Sequence, residues 1–386
     1  MPKLIRITTV PMALRYLLPG QMRFMKEQGF DVLMVSADGK EREEVIANEG
    51  CSHIIVPMTR KITPFKDLSC LWKLIRLFKK EKPDIVHTHT PKAGLLGMLA
   101  AKFSGVKVRI HTVAGMPLMV EKGFKFTLLK NIEKLTYRAA TQVWPNSYSL
   151  LNYIKQNNFC SEKKLQVINR GSSNGINLQR FDRDTLDAAV LESVKLSLQY
   201  DPQLRYLLCI GRLVKDKGIT ELVDAFVSLQ HEYDDIRLIL VGQFEPELDP
   251  LPETTLEEIT TNPAIIHVEW SPHVEYYLSL SSLFVFPSHR EGFPNVLLQA
   301  GALKLPVICS SIPGNVDIVE NEITGLRFDV ADTKGLEKQV SFALDNPGFM
   351  RAASERLYQN IRNFFGQQNI WHAIHSEYVK LLNKDA

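Results

Sequence analysis

The sequence predicts an α/β protein made of two consecutive Rossmann-like halves. Three observations carry that prediction. Short apolar runs of β-type composition alternate with amphipathic stretches along the whole chain. The alternation pauses at a polar stretch, Arg170, Gly171, Ser172, Ser173, Asn174 and Gly175, and then restarts. At 386 residues the chain is also too long for one ordinary core.

In the first half the expected strands are residues 4–8, 31–36, 53–57, 85–88, 107–112, 142–145 and 165–168. Residues 68–80, 92–103 and 126–139 between them have helical apolar spacing. Strands covered by helices on both faces read as continuous apolar runs, and in Asp84, Ile85, Val86 the charged residue stands only at the entry. The second series of expected strands is 206–210, 236–241, 264–268, 283–287 and 307–310. The expected domains are 1–175, 176–362 and a C-terminal helix at 363–386, with residues 170–200 as a hinge. That last helix is aromatic-rich and has both domains open to it, including a return to the first.

No apolar run approaches the ~20 residues that span a bilayer. Met1 to Thr9 carries Lys3 and Arg6 and no small-residue cleavage site, so it reads as a first strand, not a signal peptide. The five cysteines (Cys51, Cys70, Cys160, Cys209, Cys309) are scattered and never form CxxC. That argues against a zinc site or a disulfide framework and for a reducing cytoplasm. Residues 1–170 hold 28 Lys and Arg against 13 Asp and Glu, a net of +15, and the remainder carries −12. Such a split suits one half meeting a polyanion: an anionic membrane, a lipid diphosphate or a nucleic acid. Mutual attraction of the halves is the plainer alternative.

In open α/β sheets ligands bind beyond the carboxyl ends of the strands, so polar residues there are the candidates. Arg212 and Lys217, in GRLVKDKG after residues 206–210, would make an anion site beside a helix starting near Lys217. A solvated turn with surface lysines is the competing reading. SHREGFPN after residues 283–287 offers Glu291 in the loop, Gly292 for close backbone approach and Pro294 for the first helical turn. Gln299 follows eight residues after Glu291. Helix capping is the plainer role for Glu291, although His289 and Arg290 beside it would make an unusual cap. His111 falls at the end of its strand, and His87 and His89 occupy the same kind of place one strand earlier. Histidines at i and i+2 share a strand face, which raises a metal site, but no Asp, Glu or Cys of suitable spacing joins them. A polar cleft role is favoured, with a buried hydrogen-bonded histidine the alternative for His87.

These residues resemble glycosyltransferase family 4, whose members adopt the GT-B fold of two facing Rossmann-like domains with a cleft between them. The resemblance covers nearly the whole chain. The family's E-x7-E element corresponds to Glu291 through Gln299, its GR…KG element to GRLVKDKG, and its hinge element to Asn174, Gly175, Ile176, Asn177 and Phe181. The strings HTHTPKAGLLGMLAA, RIHTVAG and INRGSSNGIN are similar to bacterial transferases that extend polyprenyl-diphosphate-linked sugars.

The resemblance implies a retaining, metal-independent enzyme with no cofactor. It would move a HexNAc or hexose from a nucleotide-diphosphate sugar, uridine-linked by family habit, to a lipid-diphosphate-linked saccharide in bacterial surface polysaccharide or glycan assembly. Arg212 and Lys217 would hold the donor diphosphate. Glu291 would contact the sugar, with Gly292, Phe293, Pro294 and Asn295 lying against sugar and nucleotide. Gln299 stands where the family has a ribose-binding glutamate. His111 would sit near the reacting centre, and His89 and Lys92 on the acceptor side. The family's glycine pair after the first strand is replaced by Thr8, Thr9, Val10 and Pro11.

Asp182-Arg183-Asp184 spells a metal-binding DxD but follows the hinge rather than a strand, so it reads as chance. Residues 65–80 and 124–138 mix basic and bulky apolar side chains and suit an anionic membrane surface, placing the protein at the inner face of the cytoplasmic membrane. Core helices with solvated lysines remain the alternative. A nucleotide-sugar epimerase of the same architecture and a non-enzymatic basic-surface binder are the competing functions. No GxGxxG follows residues 4–8, which disfavours a dehydrogenase, and no nucleic-acid reader motif is present.

Overall fold

In the computed structural model, residues 1–247 and 249–384 are described, apart from the side chains of Pro117 and Val120. The chain divides into two compact units, Met1–Gly175 with Gln367–Ala386, and Ile176–Gly366.

The first unit runs β1 (Lys3–Ile7), α1 (Pro11–Leu17), α2 (Gln21–Glu27), β2 (Asp31–Ser36), α3 (Arg42–Glu49), β3 (Ser52–Ile55), α4 (Pro64–Glu81), β4 (Ile85–His89), α5 (Pro91–Phe103), β5 (Val108–Val113), α6 (Gly123–Ala139), β6 (Gln142–Pro145) and α7 (Tyr148–Gln156). Its sheet is parallel, in the order β3-β2-β1-β4-β5-β6. Side chains of β1 alternate between two cores. Ile5 and Ile7 pack with α4 and α5, while Leu4 packs toward α2 and the C-terminal residues.

The second unit runs α8 (Ala188–Leu198), β7 (Arg205–Ile210), α9 (Ile219–Leu229), β8 (Ile236–Val241), α10 (Glu253–Thr261), β9 (Ile265–Val268), α11 (Val274–Leu280), β10 (Leu283–Phe286), α12 (Asn295–Ala302), β11 (Val307–Ser310), β12 (Leu326–Phe328), α13 (Thr333–Asp345) and α14 (Pro347–Phe364). The order β12-β11-β10-β7-β8-β9 is again parallel throughout. Tyr206, Leu208 and Ile210 of β7 face one core, and Leu207 and Cys209 the other.

The final helix, α15 (Gln367–Lys384), belongs to the first unit. Ile370, Trp371, Ile374 and Tyr378 line its buried face. The Trp371 indole N–H donates to Asn174 Oδ1 at 2.7 Å, and Gln21 Nε2 donates to the same oxygen at 3.1 Å. Gly20 is needed beside it, because a Cβ there would stand 2.7 Å from the Trp371 ring.

Three local expectations need correction. Residues 165–168 form no strand. Leu165 makes one isolated bridge to Val143 after a short 3₁₀ turn, because the sheet already ends at β6. Residues 188–198 of the expected hinge are helical, with Asp187 capping Ala189 and Val190. The helix expected near Lys217 begins at Ile219, after a 3₁₀ turn at Lys215–Lys217 and Gly218 at φ 68°. The short strand β12 was not foreseen.

Candidate functional site

Both sheets reverse their winding between two central strands, at β1/β4 in the first unit and β7/β10 in the second. Loops leaving the carboxyl ends of such a pair diverge and leave room for a ligand. In the second unit those loops carry Arg212 and Lys217 after β7, and Glu291 after β10.

The two loops meet closely. A Cβ on Gly218 would lie 2.2 Å from the Pro287 carbonyl oxygen, so only glycine lets the backbones approach. His289 N–H donates to the Asp216 carbonyl at 2.9 Å, and Arg290 Nε donates to Asp216 Oδ1 at 2.9 Å. His289 Nε2 lies 2.9 Å from Glu221 Oε1 on α9, and this hydrogen bond raises the histidine pKa above its ordinary value. Lys217 Nζ donates to Glu291 Oε1 at 2.5 Å, with side chains only 17% and 16% exposed. Glu291 therefore caps nothing; α12 starts behind Pro294 with no side-chain cap.

The loop after β10 is supported from β11. Ser310 Oγ donates to the Ser288 carbonyl at 2.5 Å, and Asn315 Nδ2 donates to the Ser310 carbonyl at 3.0 Å. Gly314, at φ 89°, sits where a Cβ would come within 2.6 Å of the Gly292 carbonyl. Phe293 is a core side chain, 5.5 Å ring to ring from Phe365. Asn295 and Gln299 are half-buried on the first turns of α12.

Arg212 is the more open cation. Its Nη1 donates to Glu245 Oε2 at 2.7 Å, and the pair is 44% and 35% exposed. Glu245 and Asp249 come from the loop after β8, which lies beside the loop after β7. Leu213 N–H donates to the Gln243 carbonyl at 2.9 Å, and Asp216 N–H donates to Asp249 Oδ2 at 2.7 Å. The acidic run in QFEPELDP carries no marker in the sequence. Its place follows only from β8 being the neighbour of β7.

In the first unit His111 is buried, with Nδ1 2.9 Å from Thr88 Oγ1 and its ring against Gly94, where a Cβ would come within 2.4 Å of Cε1. Burial holds its pKa down to about 4, so the ring is neutral at physiological pH. His87 is structural: Nδ1 lies 2.5 Å from Tyr378 Oη and Nε2 2.7 Å from Thr112 Oγ1. His89 is fully buried, and neither of its ring nitrogens has a hydrogen-bond partner among the described residues. Lys92 donates to Asp67 on α4 at 2.5 Å and to the Lys61 carbonyl at 2.7 Å. The His89 ring is thus enclosed by the sheet, and the Lys92 ammonium braces α5 against α4.

Among the described residues no group of three or more His, Cys, Asp or Glu is arranged to hold a metal ion. Asp182 of the DxD spelling accepts from Asp184 N–H at 3.1 Å and caps a 3₁₀ turn.

Comparison with known proteins places this arrangement. Residues 196–364 match the family described as glycosyl transferases group 1, and residues 9–147 match glycosyl transferase 4-like. The chain is 34% identical over 386 residues to the capsular polysaccharide biosynthesis glycosyltransferase CapM of Staphylococcus aureus, covering 99% of this chain and 98% of that one. It is 27% identical over 322 residues to the UDP-Gal:alpha-D-GlcNAc-diphosphoundecaprenol alpha-1,3-galactosyltransferase of Escherichia coli, covering 81% and 79% of the two chains. A crystal structure of a glycosyltransferase from Rickettsia africae ESF-5 shares the fold at a TM-score of 0.82 and 20% identity, covering 99% and 98%. The two parallel six-stranded Rossmann-like sheets are those of a GT-B glycosyltransferase, and the chain belongs to the glycosyltransferase group 1, or glycosyltransferase 4-like, family.

Proposed function

We propose that this enzyme transfers a hexose or N-acetylhexosamine, with retention of anomeric configuration, from a uridine-diphosphate sugar to a lipid-diphosphate-linked saccharide during bacterial surface polysaccharide or glycan assembly. The observation that carries the reading is the clustering of Arg212, Lys217 and Glu291 on the two loops flanking the β7/β10 reversal, with Lys217 Nζ 2.5 Å from Glu291 Oε1. The names of the two relatives support the chemistry. One builds capsular polysaccharide, and the other uses UDP-Gal and a GlcNAc-diphosphoundecaprenol acceptor.

The hard step is departure of the nucleoside diphosphate from the anomeric carbon. Charge developing on the leaving phosphates is met by fixed cations that need no reorganisation. Arg212 grips phosphate oxygens through its planar fork, and Lys217 adds a point charge. Glu291 accepts from sugar hydroxyls, the backbone at Gly292, Phe293 and Pro294 lies along sugar and phosphate, and Asn295 and Gln299 serve the nucleotide. Gln299 keeps an amide oxygen for ribose hydroxyls. His111 acts on the acceptor side as a neutral hydrogen-bonding ring. Because the charge comes from the protein, turnover needs no added metal.

The lipid acceptor gives the first unit's charge of +15 a purpose. We place the enzyme at the cytoplasmic face of an anionic membrane, bound peripherally; no helix among the described residues is long and apolar enough to cross one. A mass-spectrometric screen of nucleotide sugars against short polyprenyl-diphosphate saccharides tests the reading. The expected product is the acceptor extended by one sugar. Donor consumption with an isomerised nucleotide sugar and no acceptor product would overturn it.

A further inference from the structure

Four basic side chains on the two second-unit loops are each matched to a carboxylate: Lys217 to Glu291, Arg290 to Asp216, His289 to Glu221 and Arg212 to Glu245. The first three acids have other work. Asp216 holds the loop after β10 through its carbonyl and its carboxylate, and the loop after β8 through its N–H. Glu221 holds His289 from α9, and Glu291 belongs to the sugar site proposed above. Glu245 differs. Among the described residues Arg212 is the one polar partner of its side chain. Its backbone neighbourhood is nevertheless pinned. Phe244 bridges to Leu213, its ring lies 4.7 Å from the His267 ring, and Asp249 Oδ2 accepts from Asp216 N–H. Glu245 thus presents a partly exposed carboxylate with a single side-chain partner to Arg212, the most exposed of these four basic side chains.

We propose that Glu245 is a displaceable internal counterion of the donor site. With no nucleotide bound, its carboxylate occupies the guanidinium positions that phosphate oxygens take. The incoming diphosphate exchanges with it by a side-chain rotation alone, and its return helps expel the nucleoside diphosphate product. The exchange is cheap in this setting. Exposed ion pairs gain little net free energy, so a phosphate bearing more charge displaces the carboxylate readily. A carboxylate left beside a bound diphosphate repels it, and this repulsion weakens nucleotide binding. Glu245 is therefore a positioning residue that sets donor and product affinity without touching the sugar. The inference rests on the assignment of Arg212 to the donor diphosphate.

Calorimetric titration with UDP at low ionic strength, where exposed charges are least screened, separates the two claims. The proteins are the wild type, Glu245→Ala, Arg212→Ala and the double variant. Both side chains are partly exposed, and matched melting temperatures confirm folding. The expected results are an affinity for UDP about three- to fivefold tighter in Glu245→Ala, a clearly weaker one in Arg212→Ala, and no further gain from Glu245→Ala once Arg212 is gone. Unchanged or weaker UDP binding in Glu245→Ala, with Arg212→Ala still impaired, overturns the counterion role and leaves the donor site standing. The same gain in both backgrounds also overturns it, since the effect is then general charge. Wild-type UDP affinity in Arg212→Ala overturns the donor assignment itself.

Discussion

At the scale of residues, burial decides what each histidine does. His87, His89 and His111 are all enclosed, and burial lowers the pKa of each, His111 to about 4. A histidine whose folded pKa lies below its unfolded value contributes stability that is complete above pH ~6.5 and is lost as pH falls toward the folded pKa. For His111 the difference amounts to roughly 3 kcal/mol over the interval. The urea midpoint should therefore fall as pH is lowered from 7 to 5, and His111→Asn should show a shallower decline. A midpoint flat across that range in the wild type contradicts the buried neutral assignment. The roles of Arg212, Lys217 and Glu291 were suggested by their positions just past strands. That Lys217 and Glu291 would share one donor site followed from the family resemblance, whereas their direct hydrogen bond depends on β7 and β10 becoming neighbours across 74 residues of chain. His111 was visible as a strand-end residue, whereas the neutral state of its ring follows only from the packing of Gly94 and Thr88 around it.

At the scale of elements, α4 is the clearest departure from a plain core helix. It buries Cys70, Leu74, Ile75 and Phe78, as an amphipathic helix should. On the other side it exposes Phe65 (92%), Leu68 (54%) and Trp72 (57%), at i, i+3 and i+7, beside Lys66, Lys73 and Arg76. Aromatic and apolar side chains among cations suit the headgroup region of an anionic bilayer. Wild-type protein should co-sediment with anionic vesicles at low salt, and Phe65→Ser with Trp72→Ser should lose most of that binding while keeping the wild-type melting temperature. Equal binding by the variant, or none by the wild type, removes α4 from the membrane account.

Long, periodic elements such as α4, α5 and the central strands were legible, because apolar spacing and burial agree in them. Short edge elements were not. Leu326-Arg327-Phe328 becomes β12 only by pairing with β11, and residues 165–168 lose strand character because β6 offers Leu165 a single bridge.

At the scale of the whole molecule, the chain repeats one architecture twice with opposite net charge. The first unit carries +15, and the second −12. Against that acidic background the second unit gathers Arg212, Lys217, Arg290 and His289 on two loops, each held by a carboxylate from within the same unit. The placement of these basic side chains is thus local, set by sheet order and glycine contacts rather than by overall composition. The first unit closes its own core with α15, whose Tyr378 reaches His87 under the sheet.

The central claim is that Arg212 stabilises the departing nucleoside diphosphate. It is tested most directly by the rate of sugar transfer to a polyprenyl-diphosphate saccharide in Arg212→Ala against wild type, at saturating donor. The account predicts a loss of roughly 100-fold or more in kcat, as for other well-placed donors to developing charge, with an unaltered melting temperature. A variant that turns over at close to the wild-type rate contradicts it.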